Sequence, residues 1–236
     1  MSIQAEVEAL RLSIGAVATG TGASVAADMA KAVTPLHLWI RHFRVLDEGS
    51  PSTVLLDGAH AATIESVAYG ALGLVRSAIT AIRLQIDLLV GYSYYRTHPE
   101  EWLQVDHSGK GYSTRGAIQA FHEETVLGFK ARLGMLRTQG SDVAAPYRIL
   151  SAHIHGQSSL SIPRAASLAG VVSDPTALES VLTIQEQVAE GLSDYLVALY
   201  ATAWPELPTD VVRRTAGRLT NAQRVVFFDS PAAARP

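Results

Sequence analysis

In the segment Pro146-Tyr147-Arg148-Ile149-Leu150-Ser151-Ala152-His153-Ile154-His155-Gly156, an arginine and a histidine stand seven residues apart. On a helix this spacing puts Arg148 and His155 on one face, two turns from each other, with Ser151 on the same side and His153 pointing away. A guanidinium grips a phosphate through two bonds, and an imidazole transfers a proton near neutral pH. Together they are the least equipment that metal-independent RNA cleavage requires. Arg148, His155 and Ser151 are therefore the catalytic candidates, and Tyr147 and His153 are binding candidates beside them. The bland alternative stays open: a packed helix with a satisfied histidine and an arginine reaching solvent.

Two other groups of residues suit the same chemistry. Along the apolar run from about Ala59 to Tyr95 the charges are Glu65, Arg76, Arg83 and Asp87. On one continuous helix the last three fall within about 40° of Glu65, a narrow polar stripe on an otherwise buried element. That stripe is either a solvent-facing seam with a structural Arg83–Asp87 pair, or a face turned toward the Arg148/His155 helix. In the second case Arg83 would hold phosphate and Asp87 would orient a histidine. The glycine-rich stretch Ser108-Gly109-Lys110-Gly111-Tyr112-Ser113-Thr114-Arg115 leads into a helix start, where backbone N–H groups with Lys110 and Arg115 could hold an anion. Its residue order is not that of a P-loop, and an ordinary capped loop is the alternative. Arg115 and His122 repeat the seven-residue spacing, but His122 shares a face with Ile118, Thr125 and Phe129 and reads as a core histidine. His153 and His155, two apart, diverge on a helix, and no Glu-x-x-His pair marks a di-iron bundle. No metal and no cofactor are expected.

The Arg148–His155 segment resembles the Arg-x(4–6)-His motif of the HEPN superfamily. It is also similar to an uncharacterised prokaryotic helical group with a Tyr-x-x-Leu-Ser-x-x-x-His-Gly segment, matched by Tyr147, Leu150, Ser151, His155 and Gly156. The resemblance implies an all-α bundle, often a dimeric ribonuclease, within a prokaryotic toxin or defence system. Ile149 departs from it, because a polar residue often follows the arginine. A non-catalytic interaction or nucleotide-sensing module on the same bundle is the alternative.

The elements that must position these residues read as helices almost throughout. Leu178, Val181, Leu182, Val188, Leu192, Tyr195, Leu196 and Leu199 keep the three-and-four spacing of an amphipathic helix, started by Asp174-Pro175 and ended at Trp204-Pro205. A second pattern runs from Thr114 to Leu136, and the longest, from about 59 to 95, predicts a long central helix in which Gly70, Gly73 and Gly91 allow close neighbours or a break. Helix restarts at His98-Pro99-Glu100-Glu101. The N-terminal third reads as helix 2–30, a break at Pro35 and helix 36–46, and one short helix is expected after Leu207. The reading is an all-α, single-domain helical bundle over residues 1–229, with 230–236 as a disordered tail.

Composition agrees. Of 236 residues 48% are hydrophobic and 17% charged, below the usual share of about 25% charged. The chain can bury a core, and its formal charge of -3 gives no global attraction to nucleic acid, so any contact must be local. Of its 19 cations only Lys31, Lys110 and Lys130 are lysine. With no cysteine, disulfides and thiolate chemistry drop out. Glu6 and Glu8 precede the first apolar run, so neither a secretory leader nor a membrane span is expected, and the cytoplasm is the default. So apolar a chain has helical surface to spare, which points to a homodimer.

Overall fold

The computed structural model describes residues 2–138, 142–159 and 161–229, and among them every regular element is a helix. Helices α1 (Ile3–Val17), α2 (Ala23–Ala32) and α3 (Thr34–Leu46) precede α4 (Thr53–Ala71) and α5 (Val75–Tyr95). Then come α6 (Pro99–Ser108), α7 (Arg115–Thr125), α8 (Phe129–Arg137), α9 (Ala144–His155), α10 (Pro175–Tyr200), α11 (Thr209–Gly217) and α12 (Asn221–Phe228). The all-α bundle expected from the sequence is the architecture found. The proposed tail, 230–236, lies outside the described residues.

Local chemistry accounts for several helix ends. Asp174 accepts the Ala177 N–H at 2.9 Å and Pro175 opens α10, while Thr114 accepts from Ala117 at 3.3 Å to start α7. Pro35 sits inside the first turn of α3 rather than ahead of it, where its missing N–H leaves no bond unmade. Gly109 and Gly156, both left-handed, close α6 and α9.

The long helix expected over 59–95 is two helices. Gly73 adopts φ 76°, a conformation that ends α4, and the chain turns before α5 begins at Val75. The break is used. The Gly73 carbonyl, freed from helical bonding, accepts the Ser173 N–H at 2.9 Å and so docks the segment that leads into α10. The pattern over 114–136 is likewise interrupted, by extended Val126 and left-handed Gly128 between α7 and α8. After Leu207 there are two short helices, α11 and α12, where one was expected.

The centre of the bundle is shared by α5 and α10. One apolar core runs from Met29 of α2 to Phe228 of α12, including Trp39, Phe43, Ile82, Ile86, Leu192 and Tyr195. Within it lies a polar knot of fully buried side chains. Gln185 donates to the Gln85 carbonyl oxygen at 2.8 Å, Gln85 donates back at 3.1 Å, and Ser66 of α4 donates to Gln185 at 3.0 Å. Reciprocal amides satisfy each other, which is the condition for burying them at all.

His122 is the core histidine that its neighbours implied. It is 3% exposed, and its Nδ1 accepts from the Tyr195 hydroxyl at 2.6 Å. Burial, helped by nearby His98 and opposed by a Ser93 backbone bond, pulls the ring down to about 4. The unfolded chain, with the ordinary value of 6.5, takes up this proton while the folded chain does not, so stability falls as pH drops from about 6.5 toward 4. The loss should reach on the order of 2–3 kcal/mol at the acid end. Urea unfolding at pH 7 and 4.5 checks this: in His122→Gln the difference between the two should shrink, and an unchanged difference would place the acid sensitivity elsewhere.

Candidate functional site

Three segments singled out separately in the sequence meet on one face, formed by α5, α9 and the loop before α7. From α5, Arg83 reaches α9 through both terminal nitrogens. Its Nη1 lies 3.2 Å from Nε2 of His155, and its Nη2 donates to the Tyr147 hydroxyl at 3.2 Å. A guanidinium only donates, so Nε2 of His155 is the acceptor and the neutral ring carries its proton on Nδ1. Arg83 also passes 5.1 Å over the Tyr147 ring, and Arg115, first residue of α7, approaches that ring at 4.7 Å. Two cations therefore converge on one tyrosine, where the ring's negative face offsets part of their repulsion.

Arg76, one α5 residue of the same stripe, ties α9 from a different direction. Its guanidinium donates to the His153 carbonyl at 2.9 Å and the Ser161 carbonyl at 2.8 Å, anchoring the end of α9 and the turn beyond it. Glu65 does not belong to the stripe. The break at Gly73 leaves it on α4, exposed, because the shared direction of the four charges held only for an unbroken helix.

Asp87 takes the first of the two roles open to it. It pairs with Arg83, whose Nε lies 3.4 Å from its Oδ2, rather than with a histidine. Burial pushes its carboxyl up, against the pull of Arg83, the Tyr147 hydroxyl and Arg115, each of which favours the anion. The pair is half-buried, with 18% of the Arg83 and 29% of the Asp87 side chain exposed, so it fixes Arg83 more firmly than a surface pair would.

The other candidates fall into place around this cluster. His155 and Arg148 are both exposed on α9, and Arg148 makes no hydrogen bond or ion pair among the described residues. Ser151, between them, has a buried Oγ without a partner among the described residues, although serine on a helix commonly bonds back to the preceding turn. His153 lies half-buried on the other side of α9, and burial, with Arg76 adding to it, lowers its ring below the ordinary value. Lys110 is exposed at the tip of the loop, its own N–H turned to Ser108 Oγ at 3.1 Å.

No family model matches this chain, and no curated protein or solved structure matches it. The face is thus described by its own chemistry: Arg83, Arg115 and exposed Arg148 with the accessible His155 and the Asp87 carboxylate, on a chain whose formal charge is -3. Such local cationic clustering concentrates anions where the whole molecule does not. Tyr112 was named in the sequence only as part of its loop, yet its hydroxyl donates to the Asp87 carbonyl at 2.8 Å, at the edge of the cluster. An aromatic set among glycines and polar residues was the one signal that could have drawn attention to it. Among the described residues no helix is long and apolar enough to cross a membrane.

Proposed function

We propose that this chain is a HEPN-like protein whose α5/α9 face binds RNA and cleaves it without a metal. The supporting observation is the meeting of Arg83 and Arg115 on Tyr147, with Arg83 also bonded to His155 and Arg148 open to solvent one residue from Tyr147. An incoming phosphate competes for the two Arg83 N–H groups that now serve His155 and Tyr147. Once Arg83 turns to the phosphate, Nε2 of His155 is free to accept the proton of the adjacent ribose 2′-hydroxyl. The 2′-oxygen then bonds to phosphorus, the bond from phosphorus to the 5′-oxygen breaks, and a proton returns to the leaving oxygen. Arg148 and Arg115 offset the charge that builds on the phosphate oxygens. Asp87 holds Arg83 at the height where both partners are within reach. In the fuller form of this reading two copies form a homodimer in the cytoplasm, with exposed Ile3, Val7 and Leu12 of α1 among the apolar surface available to cover.

The occupied Nε2 also favours a second reading. A histidine already bonded to arginine suits a non-catalytic nucleotide-sensing or interaction module, in which the same cations bind and release an anion. One experiment separates the two: incubate the protein with single-stranded RNA and with DNA of the same sequence, in EDTA. Cleavage of the RNA alone, ending in 2′,3′-cyclic phosphates, is the expected result. Binding without cleavage would leave the second reading, and neither would sink both. Light scattering at micromolar concentration should return about twice the 25.2 kDa of one chain, and the monomer mass would remove the homodimer.

A further inference from the structure

Arg115 donates to Gln119 on its own helix at 2.9 Å, so its place in the cluster follows from where α7 starts, and the loop that sets this start is fastened at the cluster's edge. Tyr112, three residues ahead of Arg115, lies on α5 with its hydroxyl on the Asp87 carbonyl at 2.8 Å and its ring 5.5 Å from that of Tyr95. The Ser113 N–H then donates to the Tyr95 hydroxyl at 2.9 Å, and Thr114 caps α7. Gly109 and Gly111, with φ of 65° and 81°, bracket exposed Lys110 in a turn where a Cβ on either glycine would meet nothing within 4 Å. Among the described residues the hydrogen bonds from the loop to α5 are those of Tyr112 and Ser113.

The seat under Tyr112 is Gly91. A Cβ there would lie 3.0 Å from Tyr112 Cζ and deep inside contact distance of its hydroxyl oxygen. Gly91 is in the interior of α5, where glycine costs about 1 kcal/mol against alanine and no turn requires it. Its use is the space it leaves. We infer that Tyr112 and Gly91 are positioning residues of the site: the tyrosine seated on the bare turn of α5 sets the first turn of α7 and with it the Arg115 guanidinium over Tyr147. This rests on the function proposed above for the cluster, but the seat itself can be tested without RNA.

Gly91→Ala should leave α5 intact, since alanine is the better helix former, and expel Tyr112. Trypsin cleavage after Lys110, read by mass spectrometry on the folded protein, should accelerate at least about fivefold as the loop opens. Adding Tyr112→Phe removes the colliding oxygen at the cost of its bond to the Asp87 carbonyl, so cleavage should slow again toward the rate of Tyr112→Phe alone, a rescue that general destabilisation would not give. In RNA binding, Gly91→Ala should lower the slope of log affinity against log salt by about 0.7, one phosphate contact on a single strand, as Arg115→Ala does. In the double variant Gly91→Ala/Arg115→Ala the slope should fall no further than in Arg115→Ala alone. Unchanged trypsin cleavage in Gly91→Ala overturns the seat, and an open loop with an unchanged salt slope overturns its control of Arg115. RNA that fails to bind the wild type sinks the function on which the inference rests, and the trypsin rates then decide the seat by themselves.

Discussion

His155→Ala is expected to slow RNA cleavage by about 10²–10⁴-fold, the usual cost of losing a general base, while thermal melting stays where it was. The ring is exposed and its one hydrogen bond among the described residues is to Arg83, which keeps Tyr147 and Asp87 as partners when the histidine is gone. Alanine also suits the helix. Arg148→Ala should be comparably damaging to cleavage, again without loss of stability, because the side chain is exposed and makes no hydrogen bond or ion pair among the described residues. His153→Ala should give the opposite result. That ring is half-buried on the other side of α9, so its removal should lower the melting temperature and spare cleavage. Cleavage rates and melting curves for the three variants together decide the matter, and full activity in His155→Ala ends the ribonuclease reading.

The largest loss of stability is expected away from this face, at Arg218→Ala. Asp194 lies on α10 with 3% of its side chain exposed, and its carboxylate is gripped by both terminal nitrogens of Arg218, one of them at 2.9 Å. Arg218 also meets Glu190 at 3.1 Å, so one guanidinium at the α11–α12 junction ties down two carboxylates of α10. Removing it leaves a carboxylate buried without a partner, at a cost of about 3–5 kcal/mol. For a chain of this size that is a fall in Tm on the order of 10 °C. Asp194→Leu with Arg218→Met should cost much less, since the uncompensated charge is gone. A drop in Arg218→Ala no larger than that of the double replacement would mean that the buried charge is not what the arginine sustains.

How far the sequence reaches can be judged from particular residues. Helix content, the Asp174-Pro175 start, the restart at Pro99 and the end of α9 at Gly156 were all readable, because each depends on chemistry within a few residues. The breaks at Gly73 and Gly128 were harder. The apolar pattern runs through both, and glycine inside a helix is tolerated often enough that its presence alone does not end one. At Gly73 the local closure, Leu74 N–H to the Tyr69 carbonyl at 2.8 Å, is joined by a partner a hundred residues away, the Ser173 N–H that donates to the Gly73 carbonyl. The same limit applies to the cluster. Arg83, Arg115, Tyr147 and His155 each drew attention through spacing or loop composition, but their meeting depends on how α5, α7 and α9 pack. The charge stripe was right for Arg76, Arg83 and Asp87 and wrong for Glu65, since angular reckoning fails across a break. Of the two roles open to Asp87, the pair with its i−4 neighbour Arg83 is the one found, because that cation is one helical turn away.

The paired glutamines at the bundle's centre have a consequence for the cluster as a whole. Sliding α5 along α10 by one turn, about 5.4 Å, would strand both amides in an apolar interior, so the two helices have a single allowed alignment. Arg83 sits two residues before Gln85, and its height is thereby measured from Gln185. The other end of the scale is on α10 as well. Gly191 lies so close to the start of α9 that a Cβ on it would stand 2.9 Å from the Val143 nitrogen and 3.1 Å from its Cα. A helix that lends no side chain to the cluster thus serves as its common datum, and the spacing between Arg83 and His155 is calibrated by residues that neither of them touches.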